Sequence, residues 1–283
     1  MSCPEKRWRP LHVRPTFTTG SRHIRDAKLA NIGNANSLAI PFNQFAKDRE
    51  RMPIANLGVG DVEAFLNSKN LRSRLTLRAR LSILFRFAIR RGYRADSPCD
   101  RLESVKVLKH PPAILTVGQT RKCLDWLDAK RSRAFGWFVL TTFAGLRPEE
   151  AENTPWDQIN FDEGWIRVEA QTTKVRQRRV VYPHATAMAW LRRAKKLGAE
   201  LPIARQPRRR AILALRKLLG FAMWPKDVTR HSAASYWLAE TGNAAQIATA
   251  LGHSENVLRK NYMALVTKAQ AQEFWQLLPK ETP

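Results

Sequence analysis

The chain has 283 residues, of which 44% are hydrophobic, and this length and apolar content predict two folded domains rather than one small one. Its 49 lysines and arginines outnumber 24 acidic residues and give a formal net charge of +25. Residues 1–104 carry 20 basic and 9 acidic side chains, and the rest of the chain carries 29 and 15. Both halves are therefore expected to contact a polyanion. Charge alone separates DNA neither from RNA nor from an anionic membrane, and a merely soluble basic protein is the alternative.

The cysteines and the hydropathy pattern exclude several classes of protein. Cys3, Cys99 and Cys123 form no CxxC pair, which predicts a reducing cytoplasm, no disulfide framework and no structural zinc. No apolar run of about 18 residues occurs, so no membrane span is expected. The N-terminal segment lacks the apolar core of a secretory signal. We therefore expect a cytoplasmic, nucleoid-associated protein without a membrane partner.

The first segment, residues 1–34, is predicted to be a basic arm, because it is polar and shows little periodicity. A helical domain is predicted over residues 35–104. It opens with "SLAIPFNQFAKDRER", where apolar residues recur at helical intervals although Pro41 interrupts them. A short helix capped by Asp61 is predicted next.

The clearest predicted helix covers residues 75–93 and has a continuous apolar stripe, with Gly92 as its stop. Arginines lie mostly off this stripe with no acidic residue between them. That arrangement favours phosphate contact over a merely solvated basic face. The stripe comprises Leu77, Leu81, Leu84, Phe85, Ala88 and Ile89, and the candidate DNA-binding residues are Arg74, Arg78, Arg80, Arg86 and Arg90.

A linker is predicted at residues 105–115, where two consecutive prolines interrupt the pattern. The second domain is predicted over residues 116–283 and begins with a helix at Thr116. A buried apolar helix follows and breaks at Gly145. A new helix then starts at Pro148, a residue suited to a first helical turn.

The periodicity next changes from helical to alternating. Strands are predicted at Trp165–Val168 and Val180–Tyr182, with a turn at Asp162–Gly164. Helical patterning returns after Ala185, and residues 205–210, "RQPRRR", are predicted to be a basic loop. The predicted fold class is therefore mainly α with a small antiparallel β-sheet.

Several basic side chains and one phenol stand at predicted element junctions. A phenol with a pKa of about 10 can attack a phosphate only with a base or a strong electrostatic field. Guanidinium groups suit the non-bridging phosphate oxygens, and a lysine can protonate the leaving oxygen. This chemistry requires neither a metal nor another cofactor, and no metal-type carboxylate cluster is visible. The candidate residues are Arg147, Lys174, Arg230, His253 and Tyr262.

These residues resemble the motifs of the tyrosine recombinases, or phage integrases. "AGLRPEEA" is similar to the box with the family's first catalytic arginine, here Arg147, and its supporting acid, here Glu150. "TTKVRQRRVVYP" is similar to the hairpin that delivers the catalytic lysine, here Lys174. The segment from Thr229 to Tyr262 resembles the run with the second arginine, the Gly-His box and the nucleophile. Those three residues are Arg230, His253 and Tyr262.

The resemblance covers nearly the whole chain after residue 35. Residues 57–104 resemble the family's core-binding domain, so the predicted domain at residues 35–104 is expected to be that domain. The resemblance implies a two-domain clamp around duplex DNA and a 3′-phosphotyrosyl intermediate. It also implies a homotetramer on DNA, with an accessory DNA-bending factor as a further partner. The family docks its C-terminal helix into a neighbouring protomer, and packing on its own domain is the alternative. The apolar residues of that helix are Phe274, Trp275, Leu277 and Leu278.

One position departs from the family pattern. Three residues before the second arginine the family has histidine or lysine, and this sequence has Asp227. An aspartate is unfavourable beside a phosphate, although it could accept a proton from Tyr262. A helix N-cap is the other interpretation of Asp227. His231 is assigned a supporting role, with a polar helix-start residue as the alternative.

Two questions of function stay open from the sequence. Arg176, Arg178 and Arg179 crowd the same turn as Lys174, so any of them could contact phosphate. A DNA-binding protein of the same fold without turnover, and a type IB topoisomerase that relaxes DNA, are alternatives to the recombinase. The target site, and a role in a phage, another mobile element or chromosome resolution, are not specified.

Overall fold

The computed structural model describes residues 35–47, 49, 51–103, 111–169, 178–252, 254–263 and 265–280. The chain divides into two compact units, and the boundary lies between Lys109 and His110. The predicted basic arm, residues 1–34, lies outside the described residues. Across the described ranges, no helix combines the length and apolar character needed to cross a membrane.

The described part of the first unit contains three α-helices packed around an aromatic core. Phe45 is fully buried and contacts Phe65 and Phe85 edge-on, with ring centroids 5.2 and 6.5 Å away. The helices are α1 (Ala35–Ala46), α2 (Val59–Asn67) and α3 (Leu71–Arg90), and short 3-10 turns lie at Ile54–Asn56 and Pro98–Arg101.

Helix α3 begins four residues before its predicted start. The side chain of Asn70 accepts a hydrogen bond from Ser73 N at 2.9 Å and so caps the first turn. Five of the six residues in the predicted stripe are buried, and Ile89 is half-buried. In α2 the predicted cap is wrong. Asp61 lies in the first turn, and its carboxylate accepts from the backbone of Gly58, which is the N-cap.

The second unit is also mainly helical and carries a small sheet. In its described part, three strands lie in the order β1-β2-β3, and both pairings are antiparallel. Ile166 of the central strand pairs with Ile159 on one side and Val181 on the other. The elements are α4 (Val117–Ala129), α5 (Phe135–Thr142), α6 (Pro148–Asn153), β1 (Ile159–Asn160), β2 (Trp165–Val168), β3 (Arg179–Val181), α7 (Ala185–Lys196), α8 (Arg205–Leu218), α9 (Val228–Thr241), α10 (Ala244–Leu251), α11 (Glu255–Tyr262) and α12 (Lys268–Trp275).

Helix α5 is the centre of this unit. All eight of its residues are buried, and it packs against α7 and α9. The chain then turns at Gly145, which has a φ of 65°. A Cβ atom there would lie 2.3 Å from Leu251 Cδ2, so only glycine allows the turn to approach the end of α10. This approach places the start of α6 beside α10.

The linker predicted at residues 105–115 extends into the second unit. Leu115 is fully buried in the second unit, and its backbone N donates to Ser232 Oγ at 2.8 Å. Its carbonyl accepts from Tyr236 Oη at 3.0 Å. Both partners lie on α9, so the segment before α4 is anchored to the second unit and does not act as a free connection at Leu115.

The predicted basic loop at residues 205–210 is also wrong, because these residues form the first turns of α8. Pro207 stands in the opening turn, where a missing backbone N–H costs no helical hydrogen bond. Ala211 and Leu215 are buried one turn apart and hold the helix against its unit. The stretch "RQPRRR" itself contains no apolar residue apart from proline, so its sequence shows no helical spacing.

The C-terminal helix packs on its own unit, which is one of the two arrangements expected for it. Phe274 stacks on Tyr236 with ring centroids 3.9 Å apart and an interplanar angle of 5°. Trp275 and Leu277 are buried, whereas Leu278 is 53% exposed. The Thr186 hydroxyl donates to the carbonyl of Trp275 and thereby ties the last turn of α12 to α7.

Candidate active site

Three of the five predicted catalytic residues lie in the described part of the second unit. Arg147 is the N-cap of α6, Arg230 is in the first turn of α9, and Tyr262 is the last residue of α11. Lys174 and His253 lie outside the described residues. The structure therefore brings together two arginines and the tyrosine, along with residues that the family resemblance does not name.

Glu150 is buried and holds two arginines. Its carboxylate accepts from Arg147 Nη1 at 2.8 Å and from the Arg147 backbone N at 3.0 Å. It also accepts from Arg179 Nη1 at 3.1 Å and Arg179 Nη2 at 2.6 Å. Burial alone would raise the pKa of the Glu150 carboxyl, but the hydrogen bonds and charges of Arg179 and Arg147 hold that pKa below its ordinary value. The predicted supporting acid is thus an ionised carboxylate between two guanidinium groups.

The same two arginines and Arg230 also cap the end of α10. The last carbonyls of a helix have no partner within it, and cations are favourable there. Three consecutive carbonyls at this end each accept a hydrogen bond from a different guanidinium group. The pairs are Arg179 Nε to Ala250 O at 2.9 Å, Arg230 Nη2 to Leu251 O at 2.6 Å and Arg147 Nη2 to Gly252 O at 2.5 Å.

Arg230 is the most deeply buried of these arginines, with 3% of its surface exposed. Its Nη1 donates to Gly145 O at 2.6 Å, so the guanidinium joins the turn before α6 to the end of α10. Burial, followed by repulsion from Arg147, lowers the pKa of the Arg230 guanidinium to about 10. The group remains charged at neutral pH and adds a fixed positive charge to the site.

The hydroxyl of Tyr262 contacts the imidazole of His231. The two groups His231 Nδ1 and Tyr262 Oη lie 2.8 Å apart, and the ring centroids are separated by 5.6 Å. Burial raises the pKa of the Tyr262 phenol, Arg230 acts in the opposite direction, and Asp227 adds to the rise. Burial lowers the pKa of the His231 imidazole. At neutral pH the pair therefore consists of a phenol and a neutral imidazole.

Asp227 occupies the N-cap position of α9, but its side chain does not make the hydrogen bond that an N-cap usually makes. It immediately precedes α9 and adopts a left-handed backbone with φ 54°. Its carboxylate makes no capping hydrogen bond. The predicted cap is therefore wrong as a side-chain interaction, because the left-handed backbone replaces the extended conformation of an ordinary N-cap. Its backbone carbonyl accepts from His231 N at 2.8 Å.

The arginines predicted to bind DNA on α3 divide into two groups. Arg78 donates from Nη1 to Glu103 O at 2.7 Å and from Nη2 to Cys99 O at 3.1 Å, so its guanidinium is used within the unit. Arg74 donates to Asn67 O, the last residue of α2. These contacts use part of each guanidinium within the unit, and DNA binding by both residues stays a prediction. Arg86 and Arg90 are exposed, and Arg80 is partly exposed.

Arg179 is a site residue whose specific role the sequence does not predict, because the motif offers three arginines of the hairpin equally. A signal was present. Arg179 stands two residues before the buried Val181, so strand alternation places both on the inner face of β3. An arginine on a buried face requires an acidic partner, and Glu150 fills that role.

In the ranges that the structure covers, no group of three or more histidine, cysteine, aspartate or glutamate residues is placed to hold a metal ion. The site's electrostatics come from arginines instead, and such a set of fixed donors suits an anionic phosphate.

No family model and no curated protein sequence matches the chain. Solved structures nevertheless share its fold. A lambda integrase dimer bound to a COC′ core site matches with a TM-score of 0.71 and 16% identity, over 88% of this chain and 95% of that one. A lambda integrase tetramer bound to a Holliday junction gives 0.71 and 17%, over 90% and 80%. The Tn1549 transposon integrase with a circular intermediate DNA gives 0.69 and 16%, over 91% and 98%.

These matches show that the chain has the tyrosine recombinase fold. Each match covers most of this chain and most of the chain compared with it. The helical second unit with its three antiparallel strands agrees with the predicted fold class. The resemblance inferred from the motifs is thus confirmed at the level of the fold.

Proposed function

We propose that this protein is a site-specific DNA recombinase, or integrase, that cleaves and rejoins strands through a 3′-phosphotyrosyl intermediate. The observation that carries the proposal is the position of Tyr262. Tyr262 is buried, its hydroxyl is hydrogen-bonded to His231, and the charge of the buried Arg230 acts to lower its pKa. A buried tyrosine with only a structural role also needs a hydrogen-bond partner, but it does not need the charge of a buried arginine.

In the proposed reaction the Tyr262 oxygen attacks a DNA phosphate. The phosphorus–oxygen bond to the 5′-oxygen breaks, and the protein becomes linked to the 3′-phosphate. Arg147 and Arg230 stabilise the charge that gathers on the non-bridging oxygens, and each such donor contributes roughly 3–4 kcal/mol. The Arg147 side chain is 19% exposed, which leaves it accessible to a phosphate. By resemblance, His253 assists them and Lys174 protonates the leaving 5′-oxygen.

The charge distribution supports a polyanion as the partner, and the fold shared with integrases solved on DNA favours DNA. The net charge of +25 is shared by both parts of the chain, and exposed arginines occur on both units. On the first unit they include Arg86 and Arg90 of α3, and on the second they include Arg209 and Arg210 of α8. We assign the first unit to DNA binding and the second to catalysis. Contacts to phosphates do not depend on the DNA sequence, so recognition of a target site requires other residues that contact the bases.

The proposed assembly is a homotetramer on DNA, assisted by a DNA-bending factor. Its support is the fold, since the lambda integrase that shares it has been solved as a tetramer on a Holliday junction. The bond energy held in the phosphotyrosine allows a second strand's 5′-hydroxyl to reverse the attack. No nucleotide cofactor enters this scheme.

The test is a suicide-substrate assay. Purified protein is mixed with nicked duplexes from the DNA that flanks its gene and is then separated on a denaturing gel. We expect a covalent protein–DNA band that Tyr262→Phe abolishes while DNA binding is kept. A band that persists in Tyr262→Phe would identify another nucleophile and overturn the proposal.

A DNA-binding protein without turnover is the second candidate, and Asp227 favours it. The charge of Asp227 raises the pKa of Tyr262 and so opposes formation of the attacking phenolate. This candidate predicts salt-sensitive DNA binding with no covalent band, either in the natural protein or in Asp227→His. A band that appears only in Asp227→His would instead describe a recombinase whose activity this residue restrains.

A further inference from the structure

The Tyr262 hydroxyl needs a proton acceptor if it is to attack a phosphate, and His231 occupies the place of one. Its Nδ1 lies 2.8 Å from Tyr262 Oη, within the range expected for a general base and its proton donor. His231 follows Arg230 on α9, while Tyr262 ends α11. The contact is therefore made across two helices that also contact one another.

The surroundings of His231 keep its imidazole neutral, which a base requires. Burial is the largest influence and lowers the pKa of His231. Arg230 and Lys226 lower that pKa further, whereas Asp227 raises it. His231 also stands in the first turn of α9, where the positive end of the helix disfavours an imidazolium. A neutral ring with its proton on Nε2 presents Nδ1 as the acceptor for the phenol O–H.

Asp227 fits the same task less well. Its backbone carbonyl is held by His231 N, and its left-handed backbone begins α9. Its charge raises the pKa of the Tyr262 phenol, and that change makes the proton harder to remove. The same charge raises the pKa of His231 and makes that imidazole a better acceptor. Asp227 thus opposes loss of the Tyr262 proton directly and favours its acceptance by His231.

We propose that His231 is the general base that accepts the Tyr262 proton, in place of the residue that Asp227 replaces. This inference rests on the proposed recombinase function. In cleavage the proton moves from Tyr262 Oη to His231 Nδ1, the Oη–phosphorus bond forms and the bond to the 5′-oxygen breaks. The leaving oxygen takes its proton from an acid such as Lys174. In rejoining, a 5′-hydroxyl returns its proton to the conjugate base of that acid and attacks phosphorus, the Oη–phosphorus bond breaks and the His231 imidazolium returns its proton to Tyr262.

The kinetic test uses DNA with a sulfur atom in place of the 5′-bridging oxygen. A thiolate leaves without protonation, so the cleavage rate no longer depends on the acid and remains sensitive to removal of the tyrosine proton. We expect His231→Gln to cleave about 10²–10⁴-fold more slowly at neutral pH than the natural protein, the range typical of general-base catalysis. The deficit should shrink as pH rises, because hydroxide then ionises the phenol. Asp227→Asn should cleave within about tenfold of the natural protein, with its profile shifted to lower pH because the His231 pKa falls.

Two kinetic outcomes would overturn the inference. One is a His231→Gln deficit that is the same at every pH, since that is the mark of a structural defect. The other is a large, pH-dependent deficit in Asp227→Asn while His231→Gln keeps its rate, which would make Asp227 the acceptor. Circular dichroism and DNA affinity of each variant identify a loss of fold.

A second measurement separates this inference from the proposed function. Nitrogen-15 NMR of the histidine rings in the DNA-free protein reports the tautomer of His231. We expect a neutral ring protonated on Nε2, with an Nδ1 signal that changes in Tyr262→Phe. A ring protonated on Nδ1 would overturn the inference even if cleavage is observed. If no DNA yields a covalent band, the recombinase proposal fails, whereas the NMR result still decides whether His231 can accept the proton.

Discussion

The guanidinium of Arg179 lies against the carboxylate of Glu150, with nitrogen–oxygen distances of 3.1 and 2.6 Å. Glu150 in turn holds Arg147, a residue of the candidate site, so Arg179 is a positioning residue for that site. The contact joins β3 to α6, two elements that are distant in the sequence. It also explains how a buried carboxylate keeps its charge.

Arg179→Met should destabilise the protein by about 3 kcal/mol, because one partner of a buried ion pair would be removed. Its neighbour Arg178 is a matched control. Arg178 is 68% exposed and pairs with Glu169 at the surface, so Arg178→Met should cost less than about 1 kcal/mol. Urea unfolding of both variants measures the difference. Equal destabilisation would show that the Arg179 ion pair has no special weight.

Glu150 should also make stability depend on acid. Because the pKa of its folded state lies below the ordinary value of 4.5, the ionised carboxylate contributes stability above that pH. The contribution is lost as pH falls through the folded-state pKa. Glu150→Gln should therefore be less stable than the natural protein at pH 7, and its stability should change less on acidification. Unfolding free energies between pH 3 and 7 provide the measurement, with the exposed Glu149→Gln as the control.

The main elements of the second unit could be predicted because their signals are local. Thr116 begins α4 with a capping box, and β2 occupies the predicted span Trp165–Val168. Both depend on neighbours within a few residues. The basic stretch 205–210 was misassigned for the opposite reason. There the evidence for a helix is the burial of Ala211 and Leu215, which depends on packing against other elements.

The candidate site was only partly predictable for the same physical reason. Motif spacing selected Arg147, Arg230 and Tyr262, but nothing local indicates that His231 would reach Tyr262 across two helices. Nor does local spacing show that Arg78 donates to backbone carbonyls of its own unit. Side-chain partners depend on how the elements pack against one another, and this packing cannot be read from the local spacing of residues.

Gly145 is expected to be indispensable to the site. Alanine there would have both a left-handed backbone and a Cβ 2.3 Å from Leu251 Cδ2. Gly220 has a similar φ of 68° but no atom within 4 Å of an added Cβ, so it isolates the backbone strain. We expect Gly220→Ala to cost about 1 kcal/mol and Gly145→Ala to cost about 1–3 kcal/mol more.

Gly145→Ala should also reduce cleavage more than its stability loss explains. The carbonyls of Gly145 and Leu251 both accept hydrogen bonds from Arg230, so moving either one displaces that guanidinium. Single-turnover cleavage at a temperature where both alanine variants are folded separates the two effects. A Gly145→Ala variant that cleaves as fast as Gly220→Ala would show that Arg230 tolerates the shift.

The two groups of α3 arginines should respond differently to substitution. Arg86 and Arg90 are exposed, so the double change to alanine should leave stability within about 0.5 kcal/mol while weakening DNA binding. The slope of log affinity against log salt should fall by about 1 for each arginine that no longer neutralises a phosphate. Arg78→Ala should instead lower stability, because it leaves the carbonyls of Cys99, Leu102 and Glu103 without this donor. Fluorescence anisotropy over a salt series, together with urea unfolding, tests both expectations. If the double variant keeps the natural salt slope, α3 does not bind phosphate and the DNA surface of the first unit lies elsewhere.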